Sequence, residues 1–142
     1  MDTYDREKEI QEALAAGDEA IRCLQRAKDE LGKAGGWGFV DMFGGGLIST
    51  MLKHGHINQA SAAVDAARQA LWNYSREISD VREAAALPDV QVDGFLTFAD
   101  YFMDGFIADY LVQTQIEQAK KDVSAAIWQV GEMQGQLRGL KL

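Results

Sequence analysis

An all-α fold is predicted for this 142-residue chain, either an elongated antiparallel helical hairpin or a three-helix coiled-coil bundle with long helices. Three observations lead there. Apolar residues recur at alternating steps of three and four almost throughout, where a half-buried strand needs steps of two. A single proline, Pro88, interrupts the pattern sharply. The last periodic run is about 46 residues long, roughly 70 Å as a helix, more than a compact bundle of this mass covers. One helical domain over residues 1–142 is expected, with helices over 4–33, 47–86 and 94–140; no repeat or linker suggests a second.

The first helix carries the stripe Ile10, Leu14, Gly17, Ile21, Leu24, Lys28, Leu31, flanked by Ala13, Ala20, Ala27 and Ala34 at heptad spacing. The segments Gly35-Gly36-Trp37-Gly38-Phe39 and Gly44-Gly45-Gly46 are then expected to form a connection, because each glycine costs a helix about 1 kcal/mol relative to alanine. The second helix resumes at Leu47. Its stripe is Ala60, Val64, Ala67, Leu71, Tyr74, Ile78, Val81 and Ala85, and Lys53-His54-Gly55-His56 marks a candidate break within it. Leu87-Pro88-Asp89 ends it, since proline cannot donate to the preceding turn. Asp93 is a candidate N-cap for the third helix. The seam there runs Phe95, Phe98, Phe102, Gly105, Asp109, Val112, Ile116, Ala119, Val123, Ala126, Val130, Met133, Leu137, Leu140.

Composition narrows the function classes. Hydrophobic residues at 47% against 25% charged indicate a globular protein. The lone Cys23 cannot form an internal disulfide, which points to a reducing, cytoplasmic setting. The acidic start Met1-Asp2-Thr3-Tyr4-Asp5 does not resemble a secretory signal, and no apolar run is long enough for a transmembrane segment. A net charge of −8 disfavours nucleic-acid binding. Asp89, Asp93, Asp100, Asp104 and Asp109 concentrate the acidity in one segment without lysine or arginine. The same segment holds Phe95, Phe98, Tyr101, Phe102, Phe106 and Tyr110, a helix apolar enough to be central in a bundle or pressed into an interface.

No complete catalytic constellation is present, so neither an enzyme nor a cofactor is expected. Asp100 and Asp104, one turn apart, form an acidic stripe that could hold a divalent ion through oxygen ligands; pairing with Arg76, Arg6 and Lys8 is the favoured alternative. His54 and His56, with Cys23, are zinc-type ligands without a zinc-binding spacing. A histidine–carboxylate site joining His54 to Asp104 would need two antiparallel chains, because a straight hairpin separates them by about 33 Å. Asp109, in the seam, is read as setting register or oligomeric state, or as local exposure of the seam. The glycine-rich loop has neither nucleotide-binding fingerprint, and Trp37, Phe39, Met42 and Phe43 suggest a hydrophobic cap or docking loop. Gly131, Gly135 and Gly139 either permit close helix approach or fray the helix end.

Gly36-Trp37-Gly38, Asp41, Gly44-Gly45-Gly46, Lys53-His54 and Tyr101-Phe102-Met103-Asp104-Gly105-Phe106 together resemble a group of uncharacterised bacterial all-helical proteins, over roughly the middle two-thirds of the chain. The resemblance implies a bacterial origin and no particular activity. The chain is also superficially similar to the small secreted hairpins named for a Trp-x-Gly turn, but Gly38 follows Trp37 directly and that motif is not met.

The expected function is therefore non-enzymatic: an assembly or adaptor protein acting through protein–protein interaction, with itself as partner in a homodimer or larger. Its expected interface residues are Trp37, Phe39, Phe43, Phe95, Phe98, Phe102 and Phe106. The alternative is a metal- or small-ligand-binding helical protein using Asp100 and Asp104, with His54 or His56 from a second copy.

Overall fold

The computed structural model describes residues 3–42, 47–84, 89–105 and 113–140, with side chains described for 6–33, 59–82, 92–103 and 116–140. Within them lie four helices and no strand: α1 (Thr3–Met42), α2 (Leu47–Ala84), α3 (Asp89–Gly105) and α4 (Gln113–Gly139). The all-helical expectation holds, and the element count is corrected from three to four.

The differences have physical reasons. Residues 34–42, expected in a connection, continue α1 through Gly35, Gly36 and Gly38. Glycine weakens a helix but, unlike proline, removes no hydrogen bond. For the same reason α2 runs without a break through Gly55. The third element begins at Asp89, so Asp93 is not its cap; it lies inside the helix and its carboxylate accepts a hydrogen bond from Arg82 at 2.9 Å.

The largest correction concerns the run 94–140, which is two helices lying side by side. Phe95 and Gly94 of α3 share a groove with Trp128 and Met133 of α4. Tyr74 of α2 lies at the level of Phe95, with ring centroids 5.3 Å apart, and Arg68 donates to the Met103 carbonyl, so α3 runs antiparallel to α2. Gly17 of α1 is packed between Tyr74 and Gln134, which places those three residues at one level.

The direction of α4 follows from chain length. Were α4 antiparallel to α2, Gln113 would stand about 44 Å along the axis from Gly105, whereas eight residues reach at most about 28 Å. Parallel to α2, the gap is about 20 Å, so α4 runs antiparallel to both α1 and α3. The helices follow one another around the bundle: the backbone of α1 runs close to α2 and α4, that of α3 runs close to α2 and α4, and neither diagonal pair of backbones comes as close among the described residues.

All four helices feed one core. The α2 stripe from Ala60 to Val81 is buried, as are Ile116, Val123, Val130 and Leu137 of α4. On α1 the alanine flank is as deep as the leucines: Ala13, Ala20 and Ala27 are fully buried, and Lys28 of the expected stripe is exposed. A helix touched by neighbours on two sides buries a wider arc than a single seam, and small side chains let those neighbours approach.

Candidate functional site

The bundle first settles where the expected interface residues lie. Phe95 and Phe102 are buried inside a single chain, and Phe98 is partly buried against the same core. This corrects the expectation that Phe95 and Phe102 are interface residues: with α4 lying beside α3, both are covered within one chain. Trp37 and Phe39 belong to α1, though their side chains lie outside the described residues, as do Phe43 and Phe106 altogether. So do those of Asp104, His54 and His56, and so does Asp109.

The large hydrophobics that remain exposed are Trp72 at 45%, Tyr101 at 53% and Trp128 at 62%. They sit on α2, α3 and α4, three consecutive corners of the bundle. The contacts of Arg68 with Met103, and of Gly17 with Tyr74 and Gln134, place them within about 6 Å of one another along the axis. They form a band on the side of the molecule away from α1. Their surroundings differ: the Arg76 guanidinium lies 4.9 Å from the centre of the Trp72 ring, and Tyr101 is 6.4 Å from Phe98. Trp128 has no ring or cation partner among the described residues. Beside it, between α3 and α4, is a groove of about 330 Å³ lined by Gly94, Phe95, Trp128, Glu132 and Met133, among others. Gly94 contributes no side chain to that space, and a Cβ there would meet nothing within 4 Å.

Asp100 is exposed and makes no ion pair among the described residues. Two of the three cations expected to neutralise its stripe are placed elsewhere: Arg76 over Trp72, and Lys8 4.0 Å from Glu12. The carboxylates that converge are instead Glu9, Glu12 and Glu77, with oxygens within 4.8 Å of one another. Sequence reasoning missed this trio because it spans two antiparallel helices. Burial, and then the charges of Glu12, Asp80 and Glu9, push the Glu77 carboxyl above its ordinary value, with Arg76 opposing them. A carboxyl raised in the folded state adds stability at low pH, and that contribution is lost as pH rises through its folded value. Glu77→Gln is therefore expected to stabilise the protein at pH 7 by up to about 1 kcal/mol, with the gain fading toward pH 4. Thermal melts of both proteins across that range test this; a destabilised variant at pH 7 would refute it.

Cys23 is buried, and its thiol lies 3.5 Å from a Glu19 carboxylate oxygen. Burial, followed by that hydrogen bond and the Glu19 charge, raises its pKa, so the thiol stays protonated and poorly nucleophilic. Among the described residues no helix is long and apolar enough to cross a membrane. No protein-family model, no curated protein and no solved structure matches this chain.

Proposed function

We propose that the protein is a non-enzymatic, self-associating helical module that serves in assembly or as an adaptor in the cytoplasm. The observation that carries this reading is the band of Trp72, Tyr101 and Trp128, which holds three large rings at one level on adjacent helices. Rings of this kind supply most of the energy at protein interfaces, through well-packed contacts at the interface centre. Cys23 is the chain's one cysteine and is free, which suits a reducing compartment.

Cation binding by Asp100 and Asp104 has less support, because Asp100 stands exposed and the convergent carboxylates lie on other helices. Sedimentation equilibrium at tens of micromolar is expected to give a mass of at least twice 15.6 kDa. A single 15.6 kDa species over that range would overturn the proposal.

A further inference from the structure

The outward face of α4 carries Lys121, Ala125, Trp128, Glu132 and Gly135 at alternating steps of four and three, all exposed. Helical geometry sets this stripe opposite the buried face formed by Ile116, Ala119, Val123, Ala126, Val130 and Leu137. The stripe has heptad spacing and is turned away from the core, with Trp128 as its one large apolar residue between a cation and an anion. Lys121 and Glu132 form no ion pair with any other described residue, in contrast to Lys120, which lies 3.5 Å from Glu117.

The stripe is complementary to itself when reversed. In two antiparallel copies related by a twofold axis between residues 126 and 127, Lys121 faces the partner's Glu132 and Ala125 faces the partner's Trp128. Both contacts occur twice. A large ring meets a methyl-sized residue and each cation meets an anion, which makes the face self-complementary across a twofold axis.

Charge also selects this face over the others. Copies of a chain with net charge −8 repel one another over most orientations. The helices α2 and α4 are each balanced in charge, but on the outer face of α2 Asp65 pairs with Arg68 at 3.5 Å and Arg76 lies over Trp72, whereas on α4 Lys121 and Glu132 are unpaired among the described residues.

We infer that a second copy of this chain docks on the outer face of α4, in antiparallel α4–α4 contact with Trp128 at its centre. This inference rests on the self-association reading and specifies where the contact lies.

Charge reversal tests it by sedimentation equilibrium on the full chain. Lys121→Glu and Glu132→Lys, each alone, place like charges across the axis and are expected to raise the dimer Kd at least tenfold. The double variant restores opposite charges and is expected to recover wild-type association. Trp128→Ala should weaken association at least as much as either single variant. All three side chains are exposed, so unchanged far-ultraviolet circular dichroism and melting of the dilute protein serve as the folding control. A wild-type dimer that these variants leave intact would overturn the α4 contact while preserving self-association. A wild-type monomer would remove both.

Discussion

Phe95→Ala is expected to destabilise the folded chain by about 3–5 kcal/mol, the usual cost of emptying a fully buried phenylalanine site. The ring is 1% exposed and stands nearly perpendicular to Tyr74, at an interplanar angle of 77°. That edge-to-face contact adds about 0.5–1.5 kcal/mol beyond the area it buries. Collapse around the void is restricted because the site joins three helices: α3 bears the ring, α2 supplies Tyr74, and α4 closes the groove with Met133. At about 2–4 °C per kcal/mol for a chain of this size, melting should fall by roughly 10–15 °C. The concentration dependence separates this placement from an interface role. Removal of a core ring lowers stability equally at every protein concentration, whereas removal of a ring buried only on association lowers it mainly where copies are paired. Denaturant melts at two concentrations a hundredfold apart decide between them, and a loss confined to the concentrated sample would contradict the core assignment.

Periodicity makes most of this core legible, and its lapses coincide with the places where structure and expectation differ. In α2 every stripe position from Ala60 to Val81 is buried, because a helix with an uninterrupted run of apolar residues has one orientation that hides them all. In α4 the same holds from Ile116 to Leu137. Between α3 and α4 the spacing stays helical across 106–112, and spacing alone cannot distinguish a continuous helix from two that turn back on each other. The warning lay in composition: Gly105 and Asp109 are the non-apolar members of the seam, and the first is the last residue of α3.

The exposed band had a different signal. Trp72 and Trp128 fall off the apolar stripes of their helices, so periodicity marks them neither as core nor as site. A large aromatic at an off-stripe position is a candidate surface ring, and Trp128 is the clearer case because it stands between Ala125 and Glu132 on an otherwise small and charged face. Convergence between helices, as in Glu9, Glu12 and Glu77, requires a register between α1 and α2 that no local pattern supplies.

Gly17 is where that register is pinned, and enlarging it beyond a methyl group is expected to approach Phe95→Ala in cost. A Cβ at this position would lie 2.7 Å from Gln134 Nε2 and 2.9 Å from Tyr74 Cε1. Neither neighbour can yield easily. Tyr74 is fully buried, and Gln134, 3% exposed, donates from Nε2 to the Leu14 carbonyl at 3.2 Å and to Asp18 Oδ1 at 2.8 Å. Glycine inside a helix ordinarily costs about 1 kcal/mol relative to alanine, so Gly17→Ala would stabilise an open site. Here overpacking at about 1–3 kcal/mol, together with about 1–3 kcal/mol where a buried amide loses its partners, outweighs that gain. Gly17→Ala is expected to be net destabilising by about 1–2 kcal/mol, and Gly17→Val by about 3 kcal/mol or more. Gln134→Ala removes the nearest obstructing atom, so the penalty for Gly17→Ala should be smaller in that background, with a coupling of about 0.5–3 kcal/mol in a double-mutant cycle. Chemical denaturation of the four proteins measures it. A Gly17→Ala variant more stable than wild type, or a cycle with no coupling, would show that α1, α2 and α4 do not meet as closely at this level as the packing around Gly17 requires.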